Sequence, residues 1–462
     1  MTIRIANGAG FLGDSLDAPR RLVESAEVDY LTLEYLAELT LSILARVREK
    51  DPSQGYANDF ITVLKSLCPA LAVQPQLRIV TNAGGMNPRS CARSAAAVLA
   101  AAGLGDTSIG VVTGDDLLAR LPEILAAGCP LTNLDTGEPF SQSAAQASIV
   151  SANVYLGAKP IAEALGAGAR IVITGRVADA SLTVGPAVHE FGWAGGDWNR
   201  LAGASVAGHL IECGAQATGG LYRHWQNLDL ANVGYPIAEL SDDGATVITK
   251  PANSGGAVNR HTIAEQLVYE IGDPVHYLTP DVDVDFTTVT LAEIAPDRVA
   301  VRGAVGRPAP DTLKVSLAYR AGFMASGQLL VYGRDCIQKA EACGRIILNR
   351  VAAAGFTLEA TNIELLGEGA GVPGLHSPSA DLTEVTLRVS ARAYDRDAVD
   401  RFAAEFAPLI TSGPPGLAGY AAGRPAVRPV FAYWPTLIPR DLVTPQLEIR
   451  PARDWASLEY RL

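Results

Sequence analysis

The chain has no paired C-x-x-C spacing. Its six cysteines, Cys68, Cys91, Cys129, Cys213, Cys336 and Cys343, are scattered, so neither a disulfide framework nor a structural zinc site is indicated, and most read as reduced core thiols. A dense Lys/Arg cluster is also missing. With 49 acidic residues against 37 basic ones the formal charge is −12, which repels nucleic acid and anionic membrane. Long apolar runs are absent as well: the Ala-rich stretch from Ser94 to Gly105 is too short to span a bilayer, and Met1-Thr2-Ile3-Arg4 lacks a signal-peptide core. These absences predict a cytoplasmic protein with no nucleic-acid and no membrane partner. There is no internal repeat or low-complexity tract. What the chain does have is 48% hydrophobic residues over 462 positions, enough for two or three domains with substantial cores.

Short apolar runs alternate with Ala/Leu-rich helical stretches through the first half. Strands are predicted at 3–6, 28–33, 77–81, 108–112, 131–134 and 169–174, with helices such as Tyr35 to Lys50, Pro88 to Gly103 and Ala144 to Leu165 between them. This is the pattern of a Rossmann-like α/β domain, a largely parallel sheet with helices on both faces. It is assigned to residues 1–280, with an inserted hairpin near 235–250 that turns on Asp243-Gly244. A helix from Thr262 to Ile271 follows, its start marked by a capping box, Thr262-Ile263-Ala264-Glu265. Residues 281–462 form the second domain. Strands at Thr287 to Leu291, Arg298 to Arg302, and Leu313 to Tyr319 with Gln328 to Tyr332 lead into a helix, Asp335 to Ala354. Strands at Asn362 to Gly367 and Glu384 to Ala393, a helix at Asp397 to Ile410 and a strand at Pro429 to Tyr433 complete a β-α-β-β-α-β order. That order suggests a ferredoxin-like α+β domain.

The first strand runs into Gly8-Ala9-Gly10-Phe11-Leu12-Gly13, a G-x-G-x-x-G match, and Glu34 ends the next strand where a ribose hydroxyl would want an acid. Read by motif alone, this is a nicotinamide or flavin site. Two features oppose it. Asp14, Ser15, Asp17 and Pro19 place the helix start late, whereas diphosphate binding needs helical N–H groups at the glycines, and Asp14 sets a negative charge against the diphosphate. The loop reads better as one wall of a cleft. Similar loops follow later strands: Asn82-Ala83-Gly84-Gly85, Thr113-Gly114-Asp115-Asp116 and Thr174-Gly175-Arg176-Val177-Ala178-Asp179. The carboxyl ends of parallel strands share one sheet edge, so these loops should converge.

The densest group of functional residue types is His209-Leu210-Ile211-Glu212-Cys213-Gly214-Ala215-Gln216. On a helix His209, Glu212, Cys213 and Gln216 share a face, and His209 with Glu212 makes an acid–base pair; the alternative is a helix packed closely through its glycines with a core histidine. Cys213 reads as a small buried hydrophobe more readily than as a nucleophile. Arg176 can hold a carboxylate or phosphate, and Asp179 can act as a base, cap a helix or pair with Arg176. Asp281, Asp283 and Asp285 alternate along a strand and would either gather a hard cation or protect an exposed edge, which leaves any metal unknown. The turn Ser254-Gly255-Gly256 would wrap a phosphate or a pantetheine arm, or simply turn.

Several longer segments are distinctive: Gly255-Gly256-Ala257-Val258, Glu265-Gln266-Leu267-Val268-Tyr269-Glu270-Ile271-Gly272-Asp273-Pro274, Ile173-Thr174-Gly175-Arg176-Val177-Ala178-Asp179-Ala180-Ser181-Leu182, and Gly419-Tyr420-Ala421-Ala422-Gly423-Arg424-Pro425. Through them the chain resembles the acyclic terpene utilisation AtuA family from Ile3 to about Pro439. The resemblance implies a part in the catabolism of branched or isoprenoid acyl groups carried as coenzyme A thioesters. It brings no settled reaction and no catalytic residue list. Longer members continue into a small ferredoxin-like appendage, so a separately encoded small subunit is expected, together with a homo-oligomer.

The resulting expectation is hydratase, dehydratase or lyase chemistry on an acyl-CoA. Asp14, Asp179, His209 and Glu212 form the acid–base set, and Gly8, Gly10, Gly13, Asn82, Gly84, Gly85, Gly114, Gly175 and Arg176 contact the substrate. The sequence requires no cofactor beyond the coenzyme A of the substrate. Two other readings stay open, an oxidoreductase using the Gly8–Gly13 loop and a non-catalytic subunit of an acyl-CoA-processing complex.

Overall fold

The computed structural model describes residues 1–140, 148–369, 372, 374, 382–419 and 423–458. They form two units, Met1–Ala318 with Tyr433–Leu462, and Tyr319–Ala432. The first unit is built on a mixed ten-stranded sheet. Its centre holds five parallel strands in the order Thr2–Asn7, Tyr30–Leu33, Arg78–Thr81, Ile171–Thr174 and Ser108–Thr113. Tyr30–Leu33 and Ile171–Thr174 are buried at every position, as strands covered by helices on both faces must be.

Antiparallel strands close both sides. The hairpin Ile237–Ser241 and Thr246–Thr249 turns on Gly244 (φ +83) as its sequence predicted and pairs with Thr2–Asn7. Its outer strand would be left with unpaired backbone groups, and Arg298–Arg302 followed by Thr290–Ala295 fills that edge. Residues just beyond 280 thus extend the first sheet. Gln446–Pro451 does the same on the far side, against Ser108–Thr113.

Local expectations failed in three places. No strand forms at 131–134, because Leu131 has φ +46 and the Asn133 side chain accepts from Asp135 N and Thr136 N, which folds the segment into a turn. The expected helix over 144–165 is instead a strand, Ile149–Val154, and a helix, Lys159–Gly166, with 144–147 outside the described residues. The β-branched start of that run and Pro160 at a helix N-terminus explain the break. The helix after the hairpin is Arg260–Leu267 and is capped by Asn259, whose side chain accepts from His261 N and Thr262 N. The Thr262 hydroxyl oxygen accepts the reciprocal bond from Asn259 N, the role expected of Glu265.

In the second unit, strands Ala360–Leu366, Glu384–Ala393, the part of the long strand Thr312–Tyr332 that lies beyond Ala318, and Leu417–Gly419 lie side by side in that order. The single 21-residue strand replaces the two predicted over 313–332. Helices Cys336–Ala353 and Arg396–Ala404 supply Cys343, Ile347, Val399 and Phe402 to a core completed by Val331, Leu387 and Val389. The alternating pattern of Glu384–Ala393 buries every second residue against that core.

Candidate active site

The loops behind the five parallel strands do meet. Gly8 N donates to Thr32 O and Glu34 N to Ala9 O, which ties the first two together. Asn82, after the third strand, accepts from Tyr35 N and donates to Glu34 Oε1. Gly84 approaches so closely that a Cβ there would lie 2.4 Å from Thr174 O. Asp115, after the fourth strand, accepts from Arg176 N at 2.8 Å and from Asn153 Nδ2 at 2.9 Å.

Arg176 occupies the centre of this convergence and is 1% exposed. Its guanidinium lies 4.0 Å from the centroid of the Tyr155 ring, and Nη1 donates to Leu36 O. Nη2 is 2.9 Å from Asp179 Oδ1, an ion pair without an aligned hydrogen bond, and Nη1 is 3.9 Å from Glu34 Oε1. Glu38 and Lys314 stand at the rim, 46% and 42% exposed. Lys314 lies 3.6 Å from Glu38, which accepts from the Tyr155 hydroxyl at 3.2 Å. The site therefore opens to solvent past Glu38, Lys314 and Asp179.

Burial shifts Glu34, Asp179 and Asp115 towards their neutral forms. Glu34 is held well above the usual carboxylate range by burial and by the Asp179 charge, against the pull of Arg176 and Asn82. Burial, with Glu38 nearby, also raises Asp179 although Arg176 opposes it. A third of the Asp179 side chain is open to solvent, so it forms the lip of a recess and not a sealed acid. Burial pushes Asp115 up to about 6. Tyr155, buried, keeps its proton.

His209 and Glu212 form the second part of the site, on the last turn of the helix Trp198–Glu212. Asn7 in the first strand fixes that helix end by donating from Nδ2 to Ile211 O and Glu212 O. His209 Nδ1 meets Glu212 Oε1 at 3.2 Å and Nε2 meets Gln266 O at 2.9 Å. A backbone carbonyl only accepts, so Nε2 carries a proton, and the pair with Glu212 holds one more. Burial alone would lower His209, but the Glu212 hydrogen bond and charge reverse it. Glu212 is pushed up to about 7 by burial against the pull of His209, and the Asp179 charge adds to its rise. The close-packed glycine helix and the acid–base pair coexist: Gly208 backs onto Ala180 while His209 faces Glu212. Cys213 ends the helix, and burial raises its thiol to about 12, so it is no nucleophile at neutral pH; Gln216 falls in the 3-10 turn beyond, off the helical face expected for it.

Other expected residues have different work. Asp14 accepts from Gly10 N, Ser15 N and the Tyr235 hydroxyl, which makes it the clasp of its loop. Gly13 N donates to Asp59, so three N–H groups of the Gly8–Gly13 loop are already bonded within the protein, and the following helix begins only at Ala18. A diphosphate would find none of them free. Gly85 N donates to Asn82 O and Gly175 N to Val112 O, while Gly114 (φ +102) gives close passage to Thr444 O. The aspartates 281, 283 and 285 do not gather: Asp281 accepts from Ala158 N and Ser181 Oγ, Asp283 pairs with His276, and Asp285 binds Arg307 and Thr287. Among the described residues no group of three or more His, Cys, Asp or Glu can hold a metal ion, and no helix is long and apolar enough to cross a membrane. Ser254 lines a cavity of about 450 Å³ with Arg21, Asn232 and Tyr235.

Tyr155, Glu38 and Lys314 were missed by sequence reasoning. Tyr155 was hidden inside the misread helix, and its signal was the alternation of Ile149–Val154 leading up to it.

Fold and site together define a mixed α/β protein with a buried carboxylate–arginine–histidine centre at the ends of its parallel strands. The family model described as "Acyclic terpene utilisation family protein AtuA" matches residues 3–449. The chain belongs to that family. Searches among curated proteins and among solved structures gave no match.

Proposed function

We propose that this protein is an enzyme of acyclic terpene utilisation that performs acid–base chemistry, hydration, dehydration or carbon–carbon cleavage, on branched or isoprenoid acyl-CoA thioesters. The observation that carries the reading is the set of carboxyls with raised proton affinity, the enclosed Glu34 and Glu212 and the half-open Asp179, beside one arginine and one histidine. Acids with raised proton affinity, Glu212 among them at about 7, are what such reactions need. Asp179 and the His209–Glu212 pair are the proton-transfer groups of this reading. Arg176 stabilises negative charge on the reacting oxygen. Asp14 and the glycines shape the wall.

Coenzyme A enters as part of the substrate, and no further cofactor is invoked. The bonded loop amides count against the oxidoreductase alternative. In the same reading the parallel strands form a Rossmann-like core, the strand order of the second unit is ferredoxin-like, and the protein works in the cytoplasm as a homo-oligomer with a separately encoded small subunit. The test is turnover of branched enoyl-CoA substrates by the wild type and by Asp179→Asn and His209→Ala. A loss of at least about a hundredfold is expected in each; unchanged turnover in both removes them from the mechanism.

A further inference from the structure

Four buried side-chain atoms of the site have no hydrogen-bond partner: Glu34 Oε2, Arg176 Nε, Asp179 Oδ1 and Glu212 Oε2. Buried polar atoms are almost always paired, so three bare ones at the Arg176 cluster, with a fourth on the Glu212 partner of His209, mark a place built for a ligand. Glu34 is the most telling of them. It is 5% exposed, and its two oxygens have opposite fates. Oε1 receives Asn82 Nδ2 and Leu36 N, which fixes the rotation of the carboxyl group; Oε2 receives nothing. The nearest cation, Arg176, is 3.9 Å from Oε1 and is shared with Asp179 at 2.9 Å. An ionised carboxylate with a bare oxygen in such a place would be costly, whereas a protonated one has a hydrogen to give.

We propose that Glu34 is a further substrate-contacting acid of this site. It presents Oε2–H to a carbonyl oxygen of the ligand, with the unpaired Arg176 Nε–H as a second donor, while Asp179 Oδ1, ion-paired with Arg176 Nη2 at 2.9 Å but without a hydrogen bond, accepts from a neighbouring hydroxyl. The ligand class that satisfies these atoms together is a hydroxyacyl group. Two donors on one carbonyl oxygen form a charge-stabilising pair, and Asn82 acts as the positioning residue that keeps Oε2 turned inward. The groups facing Glu34 are Arg176, Asp179, Asn82 and the Leu36 amide, and of these only Arg176 favours its ionised form by charge. The inference rests on the acid–base reading above for the use to which the site is put. Its geometry is independent of that use.

The experiment is carbon-13 NMR of the full chain labelled at glutamate side-chain carboxyls, with 3-hydroxybutyrate and butyrate as probes. One resonance is expected at the protonated position near neutral pH, absent in Glu34→Gln. A second, absent in Glu212→Gln, should be in mid-titration there. Asp179→Asn removes a neighbouring negative charge and should move the Glu34 titration to lower pH, which provides a readout if Glu34→Gln does not fold. The hydroxy acid should shift the Glu34 resonance at about tenfold lower concentration than butyrate, the worth of one buried hydrogen bond. A Glu34 carboxyl found ionised at neutral pH, or equal responses to the two acids, overturns the proposal. Failure of the acid–base reading looks different: unchanged turnover in Asp179→Asn and His209→Ala, with the Glu34 resonance still protonated.

Discussion

Two arginines of the first unit sit among carboxylates, and their surroundings have opposite effects. Arg176 lies between Glu34 and Asp179 with its side chain 2% exposed; Arg307 lies between Asp283 and Asp285 with its side chain 36% exposed. At the second cluster Asp285 has both oxygens bonded, to Thr287 and to Arg307, and those bonds hold its carboxyl below the usual range. At the first the acids are raised by burial, and each has an oxygen without a hydrogen-bond partner. The residue types are nearly the same in both places. What differs is the exposure of the arginine and the hydroxyl beside its acid: Arg307 reaches solvent and Thr287 completes the bonding of Asp285, whereas Arg176 is closed off from water and Glu34 Oε2 has no donor.

The sharpest way to break this comparison is to remove each arginine. Arg176→Met should destabilise the protein by roughly 3–5 kcal/mol in denaturant unfolding, because it leaves buried acids uncompensated. Arg307→Met should lie close to the scatter of the measurement, since exposed pairs are screened. Equal costs would mean that burial does not separate the clusters. Next in size is Gly175→Ala, whose Cβ would lie 2.4 Å from Asp115 Oδ1 and push against the carboxylate that holds Arg176 N. A loss of about 1–3 kcal/mol is expected from this overpacking, read as a lowered unfolding midpoint.

The pH dependence should carry opposite signs at the two places. Glu212 has its folded value raised to about 7 from an ordinary 4.5, so the native state binds more protons than the unfolded chain between those values. Its contribution is full below the unfolded value and is lost as pH rises through the folded one; His209, also raised, acts in the same direction. Asp285 is depressed, so its contribution is present above the unfolded value and lost as pH falls through the folded one. Unfolding curves from acid to neutral pH should show a decline that flattens in Glu212→Gln, while Asp285→Asn should remove the rise on the acid side and leave the curve lower above it. The smallest effect is that of salt. Raising ionic strength should erase whatever Arg307→Met costs and leave the cost of Arg176→Met in place.

Part of this was legible along the chain. The parallel strands announced themselves as short apolar runs, and the polar loops behind them as turns of Gly, Asn and Asp; the pair His209 and Glu212 follows from helical spacing alone. The Asp281–Asp285 run looked like the better acidic cluster because its residues are close in sequence, yet Asp281 bonds Ala158 N and Ser181 while Asp283 and Asp285 share Arg307, with His276 and Thr287 as their further partners. Glu34 was visible only as an acid after a strand and was read against a ribose. Its meaning depends on Asn82 and Arg176, which reach it from other strands.

By itself, then, the sequence determined the elements, the family and the edge of the sheet at which the chemistry is assembled, since periodicity and turn residues act over a few positions. The tertiary structure alone decided which of the many acids are functional candidates. Proton affinity is set by burial and by neighbours in space, and the neighbours of Arg176 come from behind four strands of the chain: Glu34 and Leu36 after the second, Asp115 after the fourth, Tyr155 after the fifth and Asp179 after the sixth.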